Sequence, residues 1–539
     1  MNISLRAIAR PVAVYIAVQV AITCPIWSFQ HFATQDGAAH VYNAFLMSEL
    51  VKGNPSINLD LRLNTLAVPN STGHWILALL LQFFSASFSL KLMNAGTFAL
   101  FVAVVAWLRY TAAGLTGLCT GILLGAAIGL NWLWFGGFYN FTIGMIGFVF
   151  LLTLFLRWGA QLNYARAVFI TLIFIIIYLS HIVTFAIAAG SVFVMVLWSG
   201  GERRWRKLIL VTIGALPSVG LAVLYRVTTS SAEELHPVWS WLSENSVFAI
   251  LRDLLVDPFI IISRRTFPFV DSTSDLFVLL SPGLWTAIAV TVLAVAAVIK
   301  LKTRAAVDKT LLPFAFIFLV ALLAAFLAPD DFGLSNGGII RERVLLCAFC
   351  LFVPLFGDPD ARIKRFSQIC LICVIAFQSA ALWDYASRTD GSVQEFSSSQ
   401  TVVSDDDAIA SVVVVEDASR FHSTIEPQLG LFTTIGKSTM VWDNYEIGHY
   451  LFPVITKDVT DRQFARSLAM SHAFVLNGPV ADFNEALIGL DHALSSGNKR
   501  ISKLILWGSD ERVENVVFKW FEPEPIFQND RVRVLRHRP

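Results

Sequence analysis

The sequence predicts a mainly α-helical, polytopic membrane bundle of about 11 spans, ending in a small extracytoplasmic α/β domain. Three observations predict it. Of 539 residues, 56% are hydrophobic and only 15% charged, and mean hydropathy is +0.65, which excludes an ordinary soluble protein. No charged residue occurs in 114–156, and in 167–198 only His181 can carry a charge. A bilayer core needs only ~20 such apolar residues. Beyond about Ser387, by contrast, apolar runs shrink to strand length, and Ser, Asp and Asn become common. The net charge of +1 gives no reason to expect a nucleic-acid partner.

The first span is the run 12–26, preceded by Arg6 and Arg10. No small-x-small cleavage site precedes Asp36, so this run reads as an uncleaved span with the N-terminus in the cytoplasm. Basic clusters set the remaining sidedness. Arg203, Arg204, Arg206 and Lys207 mark a cytoplasmic loop, as do Lys300, Lys302, Arg304 and Lys309, and then Arg362, Lys364 and Arg365. The stretch 228–275 holds seven acids against Arg252, Arg264 and Arg265, so it faces outward, as does 329–338.

From the Arg203 cluster onward, spans are expected at 208–225, 276–299, 311–328, 339–356 and 366–383, leaving everything after Tyr385 outside. Upstream, candidates fall at 75–92, 96–110, 115–134, 138–157, 167–180 and 182–198. Those are six, whereas passage from the outer Asp36 loop to the inner Arg203 loop needs an odd number. One of them is therefore a half-span or a bent continuation. The weakest are 75–92 and the pair flanking Ser180-His181.

The domain layout follows. Residues 1–386 form the membrane domain, with outer loops 34–73, 228–275 and 329–338; 387–407 reads as a Ser- and Asp-rich linker; 408–539 is the outer domain. Within it, 411–415, 439–442, 472–476, 503–507 and 531–535 read as buried strands, and 461–470 and 481–495 as helices between them. No G-x-G-x-x-G loop opens any of these helices, so a nucleotide site is not expected. Cys347-x-x-Cys350 and Cys370-x-x-Cys373 imitate zinc-site spacing, but both pairs lie in predicted membrane helices, where they pack as small apolar side chains. No cofactor is assigned; a divalent metal is possible but unsupported.

Candidate chemistry therefore rests on polar residues at the outer membrane boundary, where ionisable groups are expensive and functional by default. Asp36-Gly37-Ala38-Ala39-His40 directly follows the first span. A helix starting near Asp36 places Asp36, His40 and Asn43 on one face. An acid there suits a transferase that must take a proton from an incoming hydroxyl. The competing reading makes Asp36 a helix cap and leaves His40 at headgroup level.

His74 stands at the mouth of the second candidate span, Asn131 and Asn140 flank the aromatic run 132–135, and His181 interrupts two apolar segments. These, with Asp331 beside Asp330 on an outer loop, are candidates for substrate contacts. A core histidine bonded to a neighbouring helix is the competing reading for His181. The aromatic run around Trp132 reads as an interface belt. Arg341 and Arg343 follow the outer loop 333–338 on the side where basic residues are not needed for topology, and two guanidinium groups there suit a lipid-linked phosphate. The alternative is a salt bridge with Glu342 or Asp331, the arginines snorkelling to headgroups.

In its order of one span, an acid-and-histidine outer loop, a multi-span bundle, an arginine-bearing outer loop and an outer C-terminal domain, the chain resembles the GT-C glycosyltransferases. The likeness is to uncharacterised bacterial members with a D-x-x-x-H first loop. It implies an enzyme of the bacterial inner (plasma) membrane that inverts the sugar carbon and takes a polyprenyl-phosphate sugar as donor and a glycan or lipid as acceptor. Asp36 would be the base, oriented by His40, and Arg341 or Arg343 the phosphate ligand. Many members carry two acids in the first loop, whereas here Gly37 follows Asp36. Two other classes stay open: a catalytically silent scaffold of a cell-envelope or polysaccharide assembly, and a transporter. A transporter fits poorly, since neither midplane polar groups nor inverted repeats are evident.

Overall fold

Hydropathy dictates the helices. The structure, a computed structural model, describes residues 5–64, 67–158, 161–199, 204–229, 237–239, 311–332, 338–356, 361–415, 425–476 and 480–539. Among these, Ile8–Ser28, Ala86–Ala113, Tyr139–Trp158, Arg204–Thr229 and Ala361–Val402 are long and apolar enough to cross a bilayer, which makes this an integral membrane protein. Leu115–Gly129, Tyr164–Ser180, Ile182–Trp198 and Leu312–Leu327 are shorter apolar helices. The expected span 276–299, nearly all of loop 228–275 and residues 333–337 lie outside the described residues.

Two expected spans are not single helices: 115–134 divides into Leu115–Gly129 and Trp132–Phe135, and 75–92 divides as well. Residues 75–92 contain the end of helix Thr72–Leu80, a break, and the start of helix Ala86–Ala113. Ser85 causes the restart, because its hydroxyl accepts the Phe88 N–H at 3.3 Å in the manner of an N-cap. Nine residues rise only ~14 Å, half of a hydrocarbon core of ~30 Å.

The described residues divide into two compact units. One draws on Met1–Pro25, Asn94–Ile261 and Phe269–Leu382, the other on Ile26–Met93 and Trp383–Pro539. In the first, polar caps interrupt the apolar helices. His181 is extended (φ −163°) between Tyr164–Ser180 and Ile182–Trp198, and its Nδ1 accepts the Val183 N–H at 3.3 Å. Asn131 does the same for Trp132–Phe135, accepting the Trp134 N–H at 2.9 Å. Helix Ile340–Phe352 starts after Ile339, whose φ of 58° is a strained left-handed position for a β-branched residue.

In the second unit, β1 (Leu61–Leu63), in the segment after the first apolar helix, pairs antiparallel with β4 (Val454–Thr456). The main sheet contains β2 (Ala408–Val415), β3 (Met440–Val441), β5 (Ala473–Val475), β6 (Lys503–Trp507), β7 (Phe527–Gln528) and β8 (Val532–Arg536). Its order is β3-β2-β6-β8-β7, with β5 also on β2; β2 runs parallel to β3, β5 and β6, while β8 is antiparallel to β6 and β7. The apolar run of β2, interrupted only by Ser411, is buried along nearly its whole length, as a parallel strand covered on both faces must be. Helices Val459–Ser471, Val480–Gly497 and Glu511–Val517 alternate with the strands. The small β region near the C-terminus thus has the composition-derived strands close to their expected places.

Residues 387–407, read as a linker, are instead mostly helical. Helix Ala361–Ser398 runs into them and continues as a 3-10 turn, Ser399–Val402. Val393 and Phe396 are fully buried, and the Phe396 ring stacks on Trp507 with centroids 4.6 Å apart. Asp407 is tied to Lys503 at 2.6 Å. Two apolar anchors in a polar stretch were enough to order it.

Gly508, just after β6, has φ +74°, and an added Cβ would lie 2.2 Å from the Val414 carbonyl oxygen. Gly508→Ala is therefore expected to destabilise this unit by about 2 kcal/mol or more, since both backbone strain and a backbone clash oppose it. A thermal midpoint equal to that of the wild type would refute the close approach of these two strands.

Candidate functional site

Helix Gly37–Lys52 sets the site. Asp36 occupies its N-cap position with φ −91° and makes no side-chain cap bond, so capping is not its role. Three consecutive C-terminal residues meet the helix face that the spacing of Asp36, His40 and Asn43 defines. Asn43 and Asn444 exchange amide hydrogen bonds at 3.0 Å in both directions, and Asn43 also donates to the Ala39 carbonyl at 2.9 Å. One turn earlier, His40 Nδ1 lies 2.5 Å from Glu446 Oε1. At the helix start, the Tyr445 hydroxyl is within hydrogen-bond range of both the Asp36 and Glu446 carboxyls.

Local sequence explains how Asn444–Tyr445–Glu446 reaches this face. Asn444 caps the 3-10 turn Tyr445–Gly448 by accepting the Glu446 N–H at 3.2 Å, which fixes the Glu446 backbone. Tyr42 donates to the Thr439 carbonyl at 2.8 Å. Asn64 donates to the Tyr450 and Phe452 carbonyls at 3.0 and 3.1 Å, extending the β1–β4 ladder. Residues 37–64 and the C-terminal segment therefore form one body at the site.

His74 completes it. It sits in the first turn of helix Thr72–Leu80 with its Nε2 2.8 Å from Glu446 Oε2 and 3.2 Å from His40 Nδ1. Its Nδ1 is 3.1 Å from the Asn70 carbonyl, which can only accept, so Nδ1 carries a hydrogen. The two imidazoles cross at 89°, and Phe452 packs edge-on at 6.0 Å from His74. His40 is 4% exposed; His74 and Glu446 are 0% exposed.

Electrostatics follow from that burial. Burial pushes the Glu446 carboxyl up, but the charges and hydrogen bonds of His74 and His40 outweigh it and bring it down to about 2. Tyr445 is pushed well above its ordinary range by burial first and then by the Asp36 and Glu446 carboxylates, so it stays a neutral hydroxyl that donates. Nearby, burial and the Arg466 guanidinium lower His449 to about 4 despite the opposing pull of Glu446, so it is neutral at physiological pH.

The other sequence-derived candidates lie in the first unit. Arg341 donates to Asp330 at 3.0 Å and to the Ala325 carbonyl at 3.3 Å. Arg343 donates to the Gly338 carbonyl at 2.8 Å, its guanidinium 5.4 Å from the Phe138 ring and 5.8 Å from Phe141. Asp331 forms a backbone bridge to Val238. Asn140 is buried, and His181 is buried edge-on against Phe141 at 5.3 Å. So the structure brings Asp36, His40 and His74 to one place, where the His74 ring faces Glu446.

Glu446 and Tyr445 were missed by sequence reasoning. The signal available was faint: an acid two residues after Asn444 in a short polar stretch, 443–446.

No family model matches this chain, and no curated protein matches it in sequence. Solved structures that resemble it include two proteins, at low identity. The arabinofuranosyltransferase AftD from mycobacteria is 12% identical, with TM-score 0.49 over 100% of this chain and 40% of that one. This chain thus spans about two fifths of that protein's length. ArnT from Cupriavidus metallidurans, in its apo state, is also 12% identical, with TM-score 0.41 over 98% of this chain and 97% of that one.

Proposed function

We propose that this chain is a membrane glycosyltransferase of the GT-C kind, moving a sugar from a polyprenyl-phosphate donor to a glycan or lipid acceptor outside the cytoplasm, with inversion. The observation that carries this is Asp36. It follows the first apolar helix, is partly buried, has no capping role, and lies beside the neutral Tyr445 hydroxyl. A carboxylate so placed is available as a general base. Asp36 would take the proton of the acceptor hydroxyl as its oxygen attacks the anomeric carbon. The bond from that carbon to the phosphate oxygen breaks, and polyprenyl phosphate leaves as an anion that needs fixed positive charge rather than a proton.

Arg341 and Arg343 are the proposed source of that charge. The ion pair of Arg341 with Asp330 must be exchanged for a phosphate, whereas Arg343 is already oriented by two aromatic faces. Arg343 is therefore the first of the two to bind the phosphate in this proposal. In liposomes supplied with a polyprenyl-phosphate sugar, Arg343→Ala is expected to lower kcat/KM by on the order of 2–4 kcal/mol, Arg343→Lys by less, and Arg341→Ala least. Normal values for all three would remove both arginines from donor binding. A wild type that releases no polyprenyl phosphate from any such donor would sink the transferase reading itself.

The fully buried His40–His74–Glu446 cluster also suits a second reading, a catalytically silent scaffold whose two segments are clamped together. A scaffold would tolerate loss of the Asp36 charge.

A further inference from the structure

We propose that His40 Nδ1, His74 Nε2 and the Glu446 carboxylate form a binding site for a divalent cation of the zinc class. The inference stands apart from the transferase reading. The three side chains come from three separate elements, helix Gly37–Lys52, helix Thr72–Leu80 and the turn Tyr445–Gly448, yet their ligand atoms all lie within 4.8 Å of one another. Each is buried, so the convergence is a feature of the interior and not of a charged surface.

Hydrogen bookkeeping points to a cation at the centre. The Asn70 carbonyl commits the His74 proton to Nδ1. The Nε2 lone pair of a neutral His74 then faces a carboxylate oxygen at 2.8 Å and another imidazole nitrogen at 3.2 Å. Lone pairs converging in a dry interior repel unless positive charge sits between them. That charge is either a second proton on an imidazole or a metal ion. A ring nitrogen donating to a backbone carbonyl is also the usual second-shell arrangement of a metal-ligating histidine, because it fixes tautomer and ring orientation.

Donor chemistry selects the metal class. Two imidazoles and one carboxylate suit zinc and its neighbours rather than magnesium or calcium, which take oxygen shells. With metal–ligand distances of about 2.0–2.2 Å, tetrahedral ligands stand roughly 3.3 Å apart. The His40–His74 nitrogens are at 3.2 Å; the Glu446 oxygens, at 2.5 and 2.8 Å from the two rings, need to withdraw by several tenths of an ångström. Three protein ligands leave a fourth position, as zinc centres that bind water or substrate do. The four cysteines at 347, 350, 370 and 373 remain free thiols in apolar helices and compete poorly in comparison.

The test uses the full-length protein in detergent, stripped with a chelator and reloaded with zinc or cobalt. One equivalent of metal per chain is expected, with the visible absorption bands of four-coordinate cobalt. X-ray absorption of the zinc form should show a nitrogen and oxygen shell with imidazole scattering. Glu446→Gln and His74→Asn should each lower metal affinity at least tenfold, while His492→Gln, at an exposed position, should not. Retention of full affinity in both site variants would overturn the proposal. So would a wild type that takes up no metal, or one whose metal is ligated by sulfur. The wild-type spectra decide the matter even where a variant fails to fold.

Discussion

Asp36→Asn should lower sugar transfer by roughly 10²–10⁴-fold, the range over which a positioned general base contributes. The change keeps size and shape and removes only the proton acceptor. Because Asp36 makes no cap bond to helix Gly37–Lys52, the helix start should not suffer. Asn43 with Asn444, and His40 with Glu446, continue to hold the helix against the C-terminal turn. Loss of a base lowers kcat and leaves donor affinity in place, a split that a folding defect would not produce. The measurement is kcat and donor KM for purified protein in liposomes, alongside its thermal midpoint. Wild-type kcat in this variant would leave the scaffold reading ahead.

Glu446→Ala should have the largest effect on stability. The mutation leaves two buried imidazoles without their shared carboxylate and opens a void among Phe452, Tyr445 and helix Gly37–Lys52. Breaking a buried ionic group by removing one partner costs about 3–5 kcal/mol. In metal-stripped protein, hydrogen exchange of amides in 37–52 and 444–448 should speed up, reporting local opening rather than unfolding of the whole chain.

The pH dependence follows the same group. Its folded carboxyl sits at about 2, depressed from an ordinary 4.5. Stability from this depression is therefore complete above the unfolded value near 4.5 and is lost as pH falls through about 2. The depression corresponds to something on the order of 3 kcal/mol. Exchange in the wild type should accelerate across that acid window, and in Glu446→Ala it should be fast throughout. A wild type with no acid-dependent opening would mean that Glu446 is not held as an anion.

Some of the architecture was legible because it depends on one-dimensional physics. A hydrocarbon core of fixed thickness demands apolar runs of fixed length, so helices such as Tyr139–Trp158 and Arg204–Thr229 could be read from composition. The strands β2 and β6 announced themselves as short apolar runs, that of β2 rich in valine, between polar breaks. The common face of Asp36, His40 and Asn43 was readable too, since helical periodicity alone puts residues three and four apart side by side.

What stood on that face was not readable. His74 and Glu446 are 372 residues apart in sequence, and no local pattern records which distant turn a histidine will meet. Only packing of residues 37–64 with the C-terminal segment, through β1–β4 and the Asn43–Asn444 pair, chose that partner. The same holds for Arg341, whose acid turned out to be Asp330, and for 387–407, whose polar composition hid the two anchors Val393 and Phe396. Residues 75–92 show the limit most plainly: hydropathy saw one apolar stretch, while a single serine cap at Ser85 divided it. The sequence by itself determined which segments enter a membrane and which residues share a helix face, because both follow from neighbours along the chain. Tertiary structure alone decided which side chains converge, because that depends on directions set by contacts hundreds of residues away.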